Sequence, residues 1–421
     1  MEALTQLTLI WIAVFISVIA AAKTRLTPVL FYLTAGFIMV NTGISPEKTD
    51  PFIRGFSEIG IIVIMFALGF EESGQNFIHS IKRSWGIALF GAIAPFVTAF
   101  VVADYFWQDT HIALMCGLTM TATAVSLTMV SLRSEGLSTS PAALRIMTSA
   151  VLDDVAALVL VALFIPLVTI GHPLSLVEIE VIIARAIAFF IVVSIVGAWL
   201  FPHPRKGWIQ RIPLLSRFGI RHILAFEYGE YTVLTVLLLA VGTGILAHEF
   251  GFHPAVGAYM AGLILREEYF NIVKPDKTNV NLYQDTKRTI DSVAYAWIGP
   301  VFFVVLGTKL VFDWNIFVSV LPHTFVMTVS LIITQTLSAA LAAYYTGGMS
   351  RAGSVMVGLG MLGRAELAFV VLDIAYVQHH LLSTEAFYTL MFTAFWMNVA
   401  VPISIRFWKP YYQHELHELH E

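Results

Sequence analysis

The stretch GLTMTATAVSLTMV, Gly117 to Val130, crowds Thr119, Thr121, Thr123, Ser126 and Thr128 into an otherwise apolar run. Hydroxyls at that density compete for backbone hydrogen bonds and can replace those that an interrupted helix loses. A second stretch, VGLGMLGRAELAF from Val357 to Phe369, reaches the same end through glycine: Gly358, Gly360 and Gly363 weaken the helix just ahead of Arg364 and Glu366. Both read as helices broken at membrane depth, where freed carbonyls can coordinate a cation. Composition alone leaves a second reading open, in which small residues let neighbouring helices pack closely.

The rest of the chain sets these stretches in a bilayer. Of 421 residues, 58% are hydrophobic and 12% charged, against about 25% charged in a soluble globular chain. Apolar runs recur to the end and approach the ~20 residues that one helical crossing needs, so no soluble domain of ordinary size is hidden among them. The first run precedes Lys23 and Arg25 rather than following basic residues, and shows no small-residue cleavage pattern, so it is kept as a helix rather than a signal peptide. A single cysteine, Cys116, excludes an intrachain disulfide. With a net charge of −4 and no basic face, nothing points to nucleic acid.

The apolar windows predict an all-α polytopic membrane protein with about 13 transmembrane helices, near 5–22, 28–44, 57–70, 84–106, 111–132, 141–170, 176–200, 223–248, 252–265, 291–311, 317–345, 352–377 and 385–407. Basic residues concentrate in the loops after odd-numbered helices, from Lys23 and Arg25 to Arg351, whereas the loops after even-numbered ones hold only Lys48 and Arg54. The positive-inside rule then predicts an outside N-terminus and a cytoplasmic C-terminus. Thirteen helices divide into a six-plus-six inverted repeat with one linking helix, a common transporter plan. In that plan the fifth and twelfth helices, which hold the two interrupted stretches, are counterparts.

Between them, SAVLDDVAAL (Ser149 to Leu158) places Asp153 and Asp154 side by side in the sixth helix. Neighbouring helical positions differ by about 100°, so the two carboxylates face different surroundings. A carboxylate at membrane depth costs ~2.5–3.5 kcal/mol on insertion scales, which makes function the default reading. Burial and mutual repulsion let at least one of the pair take up a proton near neutrality. Such a group can hold a proton or a small cation but not both, and that competition is the basis of proton-coupled exchange.

With these residues in place, the chain resembles the cation:proton antiporter-2 family of sodium/proton and Kef-type potassium/proton exchangers over nearly its whole length. The stretches that carry the resemblance are FSEIGIIVIMFALGFEES (Phe56 to Ser73), TATAVS (Thr121 to Ser126), the Asp153–Asp154 pair, FHPAVGAYMAGLIL (Phe252 to Leu265), GPVFFVVLGTKL (Gly299 to Leu310) and GLGMLGRAELAFVV (Gly358 to Val371). The resemblance implies crossed broken helices and a homodimer in the bilayer, bacterial-type inner membrane included, that exchanges Na+ or K+ for H+. It implies an elevator-like core domain, about 57–170 and 291–377, moving against dimerisation helices at about 1–50, 176–290 and 385–407, with 408–421 a cytoplasmic tail. Carried over position by position, Asp154 is the principal ion- and proton-binding carboxylate and Asp153 its partner. Thr123 and Ser126 sit at the break beside them, and Arg364 and Glu366 belong to the polar network of the core.

One departure stands out. Many electrogenic members carry a lysine about a dozen residues ahead of a loop glycine, where it pairs with the first aspartate; here LIITQTLSAALAAYYTGG puts Gln335 twelve residues before Gly347. An amide supplies neither charge nor proton. Asp153 is then expected to lack a cationic partner, to take at most a hydrogen bond from Gln335, and one-for-one electroneutral exchange is favoured. Lys309 is read as snorkelling to the interface rather than reaching the pair.

The remaining ionisable groups read mostly as structural: Glu71 and Glu72 as a solvated helix end, with lining of an entrance as the alternative; Arg185 and Asp373 as structural residues, with a lipid phosphate and the network around Glu366 as their functional alternatives; and His248 and His253 as turn residues, with pH sensing as theirs. The repeat HELHELHE at the C-terminus reads as a solvated amphipathic tail, with weak metal binding as its alternative. No cofactor is called for, because no GxGxxG motif follows the last span. No nucleophile–base pair or resident metal set falls within the spans, so the chain reads as a transporter and not an enzyme. The competing reading is a cation-selective channel or gated conduit without proton coupling.

Overall fold

The computed structural model describes residues 2–24, 26–45, 49–71, 76–123, 125–137, 140–169, scattered positions over 180–193, 223–224, 226–250, 252–265, 267–270, 282–364 and 366–418. Among these, every regular element is helical, as the sequence predicts. In chain order they are α1 (Glu2–Thr24), α2 (Pro28–Asn41), α3 (Pro51–Glu71), α4 (Asn76–Trp107), α5 (Thr110–Thr121), α6 (Val125–Ser134), α7 (Pro141–Thr169), α8 (Thr232–Glu249), α9 (Pro254–Ile264), α10 (Leu282–Ser292), α11 (Gly299–Gly307), α12 (Trp314–Tyr345), α13 (Arg351–Gly360), α14 (Glu366–Asp373) and α15 (Thr384–Glu418). Each predicted span except the seventh coincides with helix; 176–200 falls largely outside the described residues.

Helix starts follow elementary chemistry. Pro28, Pro51, Pro141 and Pro254 open α2, α3, α7 and α9, because proline has no N–H to waste at a first helical position. Asp109 and Asp313 cap α5 and α12, each Oδ1 accepting from two free backbone N–H groups of the first turn. His253 caps α9 by accepting from Ala255 N through Nδ1 at 3.2 Å, which gives it the structural role expected of it.

Surface chemistry is that of a chain solvated by hydrocarbon. On α1, Leu7, Ile10 and Val14 are buried while Phe15 is 69% exposed; on α12, Phe325 is 70% exposed. Seven described helices are long and apolar enough to span a membrane. Two of the shorter apolar ones, Thr110–Thr121 and Leu367–Gln378, are short because they belong to broken helices.

The chain forms two compact units. The first comprises Met1–Thr49, Asn76–Val161 and Phe303–Glu421. In it α4 and α12, each 32 residues long and each with an internal proline (Pro95, Pro322), pack side by side. Thr98 donates to Thr334 at 2.9 Å and Ser338 to the carbonyl of Phe90 at 2.6 Å. In the six-plus-six plan expected from the sequence these two are counterparts, and so are the broken helices that follow each of them. The second unit, Asp50–Gln75 and Ala162–Phe302, is built on α3 against α9. A Cβ added at Gly69 would strike the carbonyl of Tyr259, and one at Gly262 the carbonyl of Phe66, so only glycine permits this approach.

Two boundaries differ from expectation. The tenth helix begins at Leu282, not near 291, because the polar segment LYQDTKRTIDS still buries Thr286 and Ile290 on one face; a π turn, Val293–Trp297, joins it to α11. The last helix runs on to Glu418 rather than ending near 407. Its extension is not a free tail: Trp408 Nε1 donates to the carbonyl of Ala352, Lys409 pairs with Glu135 at 3.0 Å, and Glu415 accepts from Ala352 N at 2.7 Å. Apolar periodicity missed it because these contacts are polar.

Candidate ion-binding site

Helix α5 stops at Thr121, where Ala122 turns into extended backbone (φ −69°, ψ 131°), and the chain resumes as α6 at Val125. Near the end of α5, Thr119 and Thr121 donate to carbonyls one turn back, at Met115 and Gly117. Thr123, in the break itself, points elsewhere: its hydroxyl donates to Asp153 Oδ2 at 3.3 Å. Asp153 is fully buried in α7. The side chains of Asp154 and Ser126 lie outside the described part of the structure, although their backbones are helical, in α7 and α6.

The second broken helix is interrupted at residues 361–364, between α13 and α14, and it meets the first, since Thr128 of α6 donates to the carbonyl of Gly360. Arg364 stands in this break with its side chain fully buried. Its Nη1 turns back on the unwound chain and donates to the carbonyls of Met361 (3.3 Å), Leu362 (3.3 Å) and Gly363 (2.9 Å). Its Nη2 donates to Gln335 Oε1 of α12 at 3.3 Å, which fixes the orientation of that amide, because a guanidinium can only donate. The same guanidinium interacts electrostatically with Asp153.

Two expectations are corrected here. Asp153 does lie in the field of a cationic group, that of Arg364, supplied by the second break rather than by the position where the lysine was expected. Gln335 does not hydrogen-bond Asp153; its oxygen is turned to Arg364, and its Nε2 donates to nothing among the described residues. Glu366 opens α14, with its side chain outside the described part. Asp373 accepts from Gln378 at 2.8 Å, a contact local to the end of the broken helix. Lys309 donates to Thr49 at 3.1 Å.

The sequence reading missed two contributors. Gly91 of α4 leaves room over the site, since a Cβ there would lie 3.6 Å from Asp153 Oδ2 and 2.8 Å from the methyl of Met361. Asn398 of α15, fully buried, bonds the backbone of Arg364 twice, accepting from its N–H at 2.7 Å and donating to its carbonyl. Its signal was present as an isolated carboxamide in the apolar run MFTAFWMNVAVPISI.

Two interrupted helices thus meet around a buried carboxylate and a buried guanidinium, on a chain built of membrane-length helices. A family model described as sodium/hydrogen exchanger, transmembrane, matches residues 10–408. The chain belongs to this exchanger family. It is similar to the Na(+)/H(+) antiporter of Enterococcus hirae, with 22% identity over 97% of this chain and 98% of that one. It is also similar to the Na(+)/H(+)-K(+) antiporter GerN of Bacillus cereus, with 23% identity over 82% of this chain and 80% of the relative. In three dimensions it superposes on the sodium proton antiporter MjNhaP1 of Methanocaldococcus jannaschii with a TM-score of 0.65 at 14% identity, over 96% of this chain and 98% of that one, which shows a shared fold. The chain is therefore an integral membrane protein of a cation/proton antiporter family.

Proposed function

We propose that the chain is a secondary antiporter that exchanges a monovalent cation, Na+ or K+, for H+ by elevator-type alternating access, with Asp154 as the carrier. The observation that carries this reading is the division of labour at the two breaks. Arg364 keeps its proton at any physiological pH and lies within electrostatic range of Asp153. The positive charge in the second break is thus permanent and is set against one carboxylate of the pair. The spare hydrogen-bonding capacity there, Arg364 Nε and Gln335 Nε2, consists of donors, which repel a cation. Acceptors gather instead at the first break, where unwinding frees backbone carbonyls, Thr123 adds a hydroxyl oxygen and Ser126 stands in the first turn of α6.

On this reading Asp154 binds a cation when ionised and releases it on protonation, one cation for one proton. In lysine-bearing members a second proton can come from the lysine; an arginine gives up none, so exchange is electroneutral. The core domain, about 57–170 and 291–377, carries the site across the membrane against the remaining helices of a homodimer. The N-terminus lies outside and the C-terminus in the cytoplasm of a bacterial-type inner membrane.

The test is proton flux in proteoliposomes against imposed Na+, K+ and Li+ gradients, with and without a potential clamp. Wild type is expected to exchange at a rate indifferent to the clamp. Asp154→Asn should abolish exchange while leaving a folded dimer, and retained exchange would overturn the assignment.

A further inference from the structure

Residues 361–364 lie between two helices, so the peptide groups of Arg364 have no helical ladder to hold them. One side chain holds both. Asn398 accepts from Arg364 N–H at 2.7 Å and donates to Arg364 C=O, from a helix that is neither half of the break. A carboxamide suits this position because it carries an acceptor and a donor on two atoms, held in one plane like a backbone peptide. Aspartate lacks the donor, serine and threonine offer a single atom, and glutamine would push the amide one methylene too far.

The consequence reaches the ion site through the arginine. With the peptide of Arg364 fixed, the side chain is directed to Met361, Leu362 and Gly363 on its own strand of the break, to Gln335 on α12, and into the field of Asp153 on α7. We propose that Asn398 is a positioning residue of the transport site: it clamps the Arg364 peptide so that the guanidinium stays on Gln335 and opposite Asp153. Asn398 touches no transported ion and acts only through Arg364. This inference rests on the antiporter reading for its effect on transport, but not for its effect on geometry.

Two measurements on Asn398→Ala, in the full-length protein, separate these. A cryo-EM structure of the variant should show the guanidinium withdrawn from Gln335; a variant that keeps the 3.3 Å contact overturns the proposal. In proteoliposomes the apparent KM for Na+ or K+ should rise by roughly tenfold, the scale on which loss of a supporting partner weakens an ion site. An unchanged KM with only less folded protein would mean a structural role and would also overturn it. Where alanine prevents folding, Asn398→Ser keeps a small polar group but breaks the paired bonds, and the same two outcomes apply. If wild type itself shows no cation/proton exchange, the antiporter reading fails, while the variant structure still decides whether Asn398 positions Arg364.

Discussion

The two broken helices solve the same problem with opposite chemistry. Unwinding a helix at membrane depth strands peptide groups that lipid cannot satisfy. In the first break hydroxyls do the work: Thr119 and Thr121 steady the end of α5, and Thr123 is left to reach Asp153. In the second, a guanidinium covers three carbonyls and a carboxamide from α15 holds the N–H and carbonyl of Arg364. Hydroxyls are neutral and can reorient; a guanidinium cannot lose its charge, and its planar fork fixes its geometry. The first break is thus suited to exchanging partners during transport and the second to remaining fixed.

The largest test of this contrast is Arg364→Met. Removing a fully buried guanidinium strands three carbonyls and the Gln335 oxygen, and each buried polar group left without its partner costs about 1–3 kcal/mol. Thermal unfolding in detergent should show a severe loss, and exchange should vanish. A mild phenotype would mean that the second break is held by something other than its arginine. Gln335→Lys should come next. Sequence alone makes this change a restoration of the missing lysine, but the structure places it 3.3 Å from Arg364, where a second positive charge is repelled. Lower stability without a gain of electrogenic transport is expected, read by thermal unfolding and by the response of exchange to a potential clamp.

A smaller effect is expected at the junction of the breaks. Thr128→Val keeps the volume but removes the hydroxyl that bonds Gly360 O, a loss of about 1 kcal/mol. Equilibrium or thermal unfolding measures it, and a shift much larger than that would show that the two breaks depend on each other more than one bond implies.

What could be read from the sequence follows the same contrast. Both breaks were legible, because glycine and hydroxyl clusters stand out against apolar runs, and the aspartate pair was legible because charge in such a run needs a reason. The partners were not. The sequence puts Arg364 only in a general polar network, since nothing in the spacing says that a residue of the twelfth helix turns back toward the sixth. Gln335 stands where relatives carry a lysine, and that substitution says nothing of its role as an acceptor for arginine. Asn398 gave only a single polar letter, and its two bonds go to backbone atoms, which carry no sequence signal. The extension of α15 past residue 407 escaped for a related reason: Lys409 and Glu415 look like tail residues until Glu135 and the N-terminus of α13 are seen beside them.

The weakest predicted effect lies where the second broken helix ends. Its π turn, Ile374–Gln378, runs into His379 and His380, whereas the first broken helix begins at the capping carboxylate of Asp109. Partial burial, and then the neighbouring charge of His380, hold His379 below the ordinary histidine value of 6.5. Between the folded and unfolded values the unfolded chain binds more protons, so this group penalises folding as pH falls through about 6.5 and below, and the penalty is absent above it. His379→Gln should therefore flatten the acid side of a thermal-stability profile taken between about pH 5 and 8, and leave the neutral side unchanged. No comparable flattening is expected from Asp109→Asn, since asparagine retains the cap. If the histidine variant leaves the acid limb as steep as in wild type, the pH sensitivity of the fold lies elsewhere, and the carboxylates of the ion site become the first place to look.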